Sequence, residues 1–242
     1  MAKTTYELIL LAAGQGKRMK SDRNKVWLSL MGKPLIERAL GTFLKDPYCV
    51  HIIVTVNSDE IEMLEELMEA EFPHIEKPIS LVVGGSERQY SSYNGLQALK
   101  DPENGYVMIH EAARPFLEQD FVDQLNEDMQ QTGGAILAVP PKDTIKQVSN
   151  GVIEKTILRE TVWQAQTPQA FRSSLVLKAH EKASRDNFFG TDDASVVERI
   201  FSHIQIVPGN YYNIKMTTPE DWITGEAILR HQLNHPGPHT KK

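Results

Sequence analysis

The sequence predicts an α/β domain with a mainly parallel sheet, helices on both of its faces and one projecting β-hairpin arm. Short apolar runs alternate with amphipathic segments over most of the 242 residues, which is typical of parallel strands joined by helices. Forty per cent of the residues are hydrophobic, which is enough for one large globular core. The alternation breaks once, over residues 140–169, where we predict the arm.

The predicted strands are short apolar runs, the first of which is YELILL at residues 6–11. Further strands are predicted at residues 51–56, 79–83, 106–110, 135–139 and 203–207. Helices are predicted at residues 34–44, 59–71, 88–99, 119–131, 173–184, 192–200 and from Pro219 onward. Before the last of these, Thr218 and Asp221 stand in the spacing of a capping box.

The arm is predicted from Asn150-Gly151, which lies between the runs DTIKQV and GVIEKTI. Asn-Gly between β-branched runs is a strong signal for a β-hairpin. An exposed hairpin leaves edges to be covered, which favours pairing with a partner. We therefore predict a single domain over residues 1–233, with residues 140–169 as a dimerisation excursion, and a disordered tail over residues 234–242.

Charge and composition argue against several classes of protein. The net charge of −6 disfavours general nucleic-acid binding. The chain has no apolar stretch near the roughly 20 residues that span a bilayer, and its polar start does not resemble a secretory signal. We therefore expect a cytoplasmic protein with no membrane partner. Residues 15–33 hold six basic residues and one acid, a local charge of +5 that favours a small polyanion as ligand.

A glycine-containing loop, LAAGQGKRM at residues 11–19, follows the first strand directly. Open α/β sheets bind ligands at this position. Gly14 and Gly16 let backbone N–H groups approach an anion, and the two basic residues that follow add charge-assisted hydrogen bonds. A dinucleotide fingerprint would need glycine in place of Met19, and a Walker A loop would need Ser or Thr in place of Arg18. A solvated turn with exposed charges remains the alternative.

The loop and six later motifs carry a resemblance. LAAGQGKRM, with Lys25 seven residues after Arg18, resembles the signature of sugar-nucleotide nucleotidyltransferases. The later motifs, in chain order, are GGSERQYSSYNGL, HEAARPF, AVPPKDTIK, QTPQAF, GTDDAS and NIKMTTPED. Together they resemble the 2-C-methyl-D-erythritol 4-phosphate cytidylyltransferase family of the non-mevalonate isoprenoid pathway. The resemblance covers about residues 6–230 and implies a Rossmann-like nucleotidyltransferase fold of the GT-A type.

The resemblance implies transfer of CMP from CTP to 2-C-methyl-D-erythritol 4-phosphate with release of pyrophosphate. The attacking phosphate oxygen is already an anion, so catalysis depends on positioning and on well-placed cations rather than on a strong base. Mg²⁺ is expected to be held mainly by the CTP phosphates, with no protein metal site. The implied catalytic residues are Arg18, Lys25, Arg159 and Lys215.

The resemblance also implies two sets of binding residues. Nucleotide binding falls to Ala12, Ala13, Gly14, Gln15, Gly16, Lys17, Arg18, Lys25, Gly84, Gly85, Ser91, Glu111 and Ala113. Binding of the polyol phosphate falls to Glu111, Arg114, Thr144, Arg159, Thr167, Thr191 and Lys215. Arg159 lies on the arm, and the family pattern implies a homodimer in which it reaches the partner subunit's site.

Two motif residues favour a structural interpretation. His110 is predicted to be a satisfied core histidine rather than a ligand or base. Asp192-Asp193 is predicted to be a pair of acids at a helix N-terminus rather than a metal site. The chain also departs from the resembled family, which usually has Asp at the place of Glu111 and Pro-Lys-Gln at the place of Asn24-Lys25-Val26.

Two alternative functions stay open at this point. Ribitol 5-phosphate cytidylyltransferases, which serve teichoic-acid synthesis, share the chemistry but more often show Ala-Gly-Gly in the first loop and Asp-Ala-Val-Arg-Pro in the HEAARPF motif. Ala12-Ala13-Gly14 therefore favours the erythritol substrate. A non-catalytic nucleotide-binding protein is the other alternative, which the presence of Arg18, Lys25 and Lys215 disfavours.

Overall fold

The computed structural model describes residues 3–14 and 24–235. Its strands are β1 (Tyr6–Leu11), β2 (Ser29–Leu30), β3 (Lys33–Pro34), β4 (Cys49–Val56), β5 (Ile79–Val83), β6 (Tyr106–Glu111), β7 (Gly134–Val139), β8 (Ile145–Ser149), β9 (Val152–Ile157), β10 (Gln164–Arg172) and β11 (Gln205–Pro208). Its helices are α1 (Leu35–Lys45), α2 (Ile61–Glu71), α3 (Arg88–Leu96), α4 (Gln119–Thr132), α5 (Ser173–Arg185), α6 (Asp193–Val197) and α7 (Pro219–Asn234). Among the described residues, no helix is both long and apolar enough to cross a membrane.

Seven strands form the central sheet, in the order β11-β7-β10-β6-β1-β4-β5. Strand β10 pairs antiparallel with both β6 and β7, and the other neighbouring pairs are parallel. Six strands therefore run in one direction and β10 opposes them. The predicted mainly parallel sheet is confirmed, and its parallel strands end at a common edge.

Strand β10 was not predicted, because residues 164–169 were assigned to the arm. The segment QAQTPQAF lacks the apolar alternation of the other strands and contains Pro168. The register of β10 on β7 shifts between Ala165 and Gln169, so the proline lies in an irregularity where its missing N–H removes no regular ladder bond. The hairpin proper therefore ends before Gln164, and the polypeptide returns from it into the sheet.

Side chains of the central strands alternate between two cores on opposite faces of the sheet. Leu8 and Leu10 of β1 pack in a cluster with residues of α1, α2 and α4. Ile9 and Leu11 face the other way, into a cluster with residues of α3, α5 and α6. The predicted three-layer arrangement follows directly from this period of two along buried strands.

Several helices are shorter than predicted. A 3-10 turn at Ser58–Glu60 precedes α2, α3 ends at Leu96 and α6 ends at Val197. The capping box before α7 is confirmed, since Thr218 and Asp221 each bond the other's backbone. Helix α7 runs to Asn234, so the start of the predicted tail is helical, and the tail beyond residue 235 lies outside the described residues.

The hairpin arm forms as predicted. Strands β8 and β9 pair antiparallel in a sheet of their own. At their turn Asn150 and Gly151 have φ angles of 49° and 79°, the left-handed conformation that an Asn-Gly hairpin turn requires. Large apolar side chains, among them Val152 and Leu158, each 68% exposed, stand on the surface of the arm.

The capping box generates a stability prediction. Asp221 Oδ2 accepts hydrogen bonds from the backbone N–H groups of Thr217 and Thr218 at 2.6 and 2.8 Å. Asp221→Ala should therefore lower the free energy of unfolding by about 1 kcal/mol, measured by urea denaturation. The control is Glu226→Ala in the same helix, which removes an exposed pair with Arg230 that is worth a few tenths of a kcal/mol. Equal losses in the two variants would contradict the capping role.

Candidate active site

The candidate site lies where β1, β5 and β6 end at the common edge of the sheet. The loops that leave these strands are tied to their neighbours: Ala12 N–H donates to the Thr55 carbonyl at 2.8 Å, and Gly84 N–H donates to the Val56 carbonyl at 2.9 Å. The carboxyl edge of a parallel sheet is where such folds bind ligands. The chain after β1 and the glycine pair after β5 are thus held together there.

The glycine pair Gly84-Gly85 is required by packing. A Cβ on Gly84 would lie 2.2 Å from the Cβ of Ala13, and one on Gly85 would lie 2.2 Å from the Cβ of Tyr90. The buried hydroxyl of Ser91 accepts a hydrogen bond from Gly85 N–H at 3.0 Å. The structure thus brings Ala13, both glycines and Ser91 together, and the Ser91 hydroxyl holds the Gly84-Gly85 pair in position.

Glu111, the last residue of β6, is the electrostatic centre of the site. Its Oε1 accepts hydrogen bonds from Lys215 Nζ at 2.7 Å and from Arg88 Nε at 3.0 Å. Its Oε2 accepts one from Arg114 Nε at 3.3 Å. Two predicted substrate-binding residues, Lys215 and Arg114, therefore converge on this carboxylate. Arg88 is a third cation that contacts it.

Burial and charge act in opposite directions on Glu111. Burial alone would raise the pKa of its carboxyl, but Lys215, Arg88 and Arg114 together lower this pKa to about 2. Glu111 is therefore ionised at neutral pH and available as a hydrogen-bond acceptor. Burial lowers the pKa of the Arg114 guanidinium, yet its ordinary value is so high that Arg114 stays charged.

Thr167 and His110 form a hydrogen-bonded layer behind Glu111. Thr167 Oγ1 accepts a hydrogen bond from Glu111 N–H at 3.1 Å and lies 3.0 Å from His110 Nδ1. His110 Nε2 lies 3.1 Å from the Arg114 carbonyl, and burial lowers the pKa of this histidine to about 4. The structure thus agrees with a satisfied, neutral core histidine, and it places the Thr167 hydroxyl in the supporting layer.

Asn24 ties the segment before Lys25 to the loop after β1. Its Nδ2 donates to the Ala12 carbonyl at 2.6 Å and to Glu60 Oε2 at 3.0 Å. Its Oδ1 accepts from Val26 N–H at 3.4 Å and so caps the short 3-10 turn Lys25–Trp27. Where the resembled family usually has proline, this chain therefore anchors the backbone through a side chain.

The remaining predicted residues divide into three groups. Ala113 is buried beside the site, and its carbonyl accepts a hydrogen bond from Met216 N–H at 2.8 Å. Thr144 and Arg159 lie on the arm and Thr191 lies before α6, all three exposed, and Arg159 Nη1 donates to the Lys142 carbonyl at 3.0 Å. Four predicted residues lie outside the described part of the chain: Gln15, Gly16, Lys17 and Arg18.

Sequence reasoning missed Arg88 as a site residue. It lies within the GGSERQYSSYNGL motif, three positions after Gly85, so the motif was found but the role of its arginine was not. Nothing in the spacing indicated a pairing with a residue 23 positions later. Within residues 3–14 and 24–235, no group of three or more His, Cys, Asp or Glu side chains is arranged to hold a metal.

The arrangement suits a polyanion. Glycine backbone and three cationic side chains meet at one edge of the sheet, and the Glu111 carboxylate, on which all three cations converge, orients them. Charge-assisted hydrogen bonds from such groups bind phosphate oxygens strongly. This geometry fits a nucleotide and a second phosphorylated substrate, although fold and charge alone do not identify them.

Comparison with known proteins identifies the family. The profile of the family described as 2-C-methyl-D-erythritol 4-phosphate cytidylyltransferase matches residues 6–231. A protein of that name from Geobacillus kaustophilus is 49% identical over 228 residues, covering 94% of this chain and 98% of the relative. One from Bacillus pumilus is 45% identical over 225 residues, covering 93% and 96%.

Solved structures agree with these relatives. The 4-diphosphocytidyl-2C-methyl-D-erythritol synthase of Anaerococcus prevotii matches with a TM-score of 0.82 at 28% identity, covering 94% of this chain and 99% of that one. The 2-C-methyl-D-erythritol 4-phosphate cytidylyltransferase of Francisella tularensis matches with a TM-score of 0.77 at 30% identity, covering 93% and 100%. The resemblance drawn from the motifs is confirmed. Because the profile runs from the first strand into the last helix, the chain belongs to the 2-C-methyl-D-erythritol 4-phosphate cytidylyltransferase family.

Proposed function

We propose that this chain transfers a cytidylyl group from CTP to 2-C-methyl-D-erythritol 4-phosphate and releases pyrophosphate, a step of non-mevalonate isoprenoid biosynthesis. Family membership supports the activity and the substrates. The structural observation that carries the proposal is the convergence of Lys215, Arg88 and Arg114 on Glu111 beside the glycine pair. A cytoplasmic location stays a prediction.

The nucleotide occupies the edge formed by the loop after β1 and the glycine pair. In this proposal the backbone of Ala12, Ala13 and Gly14 binds the triphosphate. The family pattern implies the same role for Gln15, Gly16 and Lys17, which lie outside the described residues. Gly84 carries no side chain and packs closely against Ala13, so it offers only backbone to the flat base in this proposal. This arrangement favours a small pyrimidine over a purine.

Catalysis in this proposal is electrostatic. The substrate phosphate oxygen attacks the α-phosphorus of CTP, the bond from that phosphorus to the bridging oxygen breaks, and pyrophosphate leaves with the electron pair. Arg18 and Lys25 stabilise the charge on the α-phosphate, and Mg²⁺, when bound, would neutralise phosphate charge while held mainly by the nucleotide rather than by protein side chains. The family pattern implies these roles for Arg18 and Lys25.

Glu111 organises the second substrate. Since it is ionised at neutral pH, it accepts hydrogen bonds from substrate or ribose hydroxyls, while Lys215 and Arg114 offer positive charge to the phosphate. Glu carries one methylene more than the usual Asp, and Arg88, Lys215 and Arg114 all reach its carboxylate. The exposed Thr144 and Thr191 complete the set of polar groups for the substrate, whereas the buried Thr167 acts through its hydrogen bond with Glu111 N–H.

The arm builds a homodimer in this proposal. Val148, Val152, Ile153 and Leu158 are exposed on a two-stranded hairpin, which is marginally stable by itself in water. Two arms that cross at a two-fold axis would cover each other. Arg159, exposed beyond the end of β9, would then reach the neighbouring site, where its planar fork can hold a phosphate.

Substrate choice is the direct test of the proposed function. Pyrophosphate release should be measured with CTP, UTP, ATP and GTP, each combined with 2-C-methyl-D-erythritol 4-phosphate or ribitol 5-phosphate. We expect the largest kcat/KM for CTP with the erythritol substrate. Comparable turnover of ATP would contradict the pyrimidine pocket, preference for ribitol 5-phosphate would assign the ribitol function, and no turnover in any combination would favour a binding protein.

The cation roles predict a loss of rate with little loss of stability. Lys25→Ala and Arg18→Ala should each lower kcat about 100-fold or more, because each removes charge stabilisation that acts mainly in the transition state. The matched control is Lys33→Ala, a basic residue of the same segment that pairs with Glu37 in α1. A kcat for Lys25→Ala equal to that of the control would show that Lys25 is a surface lysine.

Shared sites predict complementation between inactive variants. Lys25→Ala and Arg159→Ala should each be inactive alone, and subunit exchange should give mixed dimers with one intact site, about one quarter of all sites at equal mixing. Exchange of Lys25→Ala with the double variant Lys25→Ala/Arg159→Ala is the control and should restore nothing. Verified exchange without recovered activity would exclude Arg159 from the neighbouring site, and a monomer in sedimentation would exclude the arm as a dimer interface.

A further inference from the structure

Asp193 is a buried carboxylate to which the proposed reaction gives no role. It is the first residue of α6, and its side chain is inaccessible to solvent. Its Oδ1 accepts hydrogen bonds from Ser92 Oγ at 2.5 Å and from His180 Nε2 at 3.1 Å. Its Oδ2 accepts one from Arg88 Nη2 at 2.7 Å. Asp193 therefore connects α3 and α5 to the arginine beside Glu111.

The neighbouring acid has a different task. Asp192 is the N-cap of α6: its Oδ1 accepts from Ser195 N–H at 2.9 Å, and its Oδ2 accepts from Gln169 Nε2 at 2.7 Å. The prediction of acids at a helix N-terminus therefore explains the contacts of Asp192. It does not explain those of Asp193. A capping function leaves the inward direction of the Asp193 carboxylate unexplained.

The charge of Asp193 is maintained by its partners. Burial raises the pKa of its carboxyl, but the Arg88 charge and the hydrogen bonds from His180 and Ser92 outweigh burial and hold this pKa well below its usual range. A buried carboxylate without a cation would be strongly unfavourable, so Asp193 and Arg88 are bound to one another.

Arg88 extends this anchoring to the active site. The same guanidinium that donates from Nη2 to Asp193 donates from Nε to Glu111 Oε1 at 3.0 Å. The guanidinium is rigid and planar, so fixing one of its donors fixes the direction of the other. Arg88 is also the first residue of α3, three positions after Gly85, so its backbone is held by that helix.

We propose that Asp193 and Arg88 are positioning residues for cytidylyl transfer: Asp193 fixes the Arg88 guanidinium, and Arg88 fixes the Glu111 carboxylate on which Lys215 and Arg114 converge. Neither residue touches substrate in this assignment. The inference rests on the proposed role of Glu111 and adds a buried anchor behind it. Without the anchor, the carboxylate would turn toward the two remaining cations and draw them from their places.

A double-mutant cycle tests whether Arg88 acts through Glu111. Arg88→Lys keeps the charge beside Asp193 and removes the fork, so we expect kcat/KM to fall roughly 10- to 100-fold, as misplacement of a site group does. In the Glu111→Gln background the same change should cost less than about threefold, because its target is already lost. Rates are to be measured as pyrophosphate release, with the melting temperature of each variant.

Adjacent acids provide a matched comparison for Asp193. Asp193→Asn should lower kcat/KM roughly tenfold or more because the arginine loses its anchor, and Asp192→Asn should stay within about threefold since asparagine is a good N-cap. If Asp193→Asn fails to fold, the Arg88→Lys cycle still tests whether Arg88 positions Glu111, because that variant leaves Asp193 paired with a cation.

Each outcome has a distinct meaning. Losses from Arg88→Lys and Glu111→Gln that multiply in the double variant would show that Arg88 does not act through Glu111 and would overturn the inference. An unchanged rate in Glu111→Gln would remove the proposed role of Glu111 and the inference with it. An inactive wild type would refute the proposed function itself, whereas an active wild type with equal rates in Asp192→Asn and Asp193→Asn would refute only the anchor.

Discussion

The Glu111 carboxylate binds three cations that are far apart in sequence, and this set of ion pairs determines the geometry of the site. Arg88 begins α3, Arg114 follows β6, and Lys215 lies between β11 and α7. Exposed ion pairs contribute little to stability, but a buried carboxylate that lost these partners would be strongly unfavourable. The burial of Glu111 therefore requires three segments to meet, and they meet at the edge where the parallel strands of the sheet end.

Much of the fold was predictable because buried strands and their covering helices have regular periods. Tyr6–Leu11 is buried along its whole length and apolar except at Glu7, since both of its faces are covered, and the helices are indicated by apolar residues at helical spacing. Strand β10 was missed for the opposite reason: the chemistry of Gln166, Thr167 and Gln169 serves hydrogen bonds to other elements, so the segment carries no strand pattern. Local periodicity in the sequence indicates which residues are buried, but it does not indicate which polar residues pair over long distances in the chain.

The site was predictable to a similar extent. The motifs identified Gly84, Gly85, Glu111, Arg114 and Lys215, and the structure brings them together. Arg88 and Asn24 could not be recognised as contributors, because their partners, Glu111 and Glu60, lie 23 and 36 residues away. Such pairings arise from the fold and leave no spacing in the sequence that distinguishes them from surface charges.

The antiparallel direction of β10 links the arm to the Glu111 site. Because it runs against its neighbours, it starts at the edge where the parallel strands end, so the arm that precedes it begins at the same edge as the segment after β1. The first three residues of β10 therefore join the arm to Thr167, whose hydroxyl accepts a hydrogen bond from Glu111 N–H. A substitution in this strand that alters the arm therefore also shifts the support of the carboxylate. In the proposed dimer, a change in subunit contacts made through β10 is accordingly expected to be accompanied by a change at Glu111.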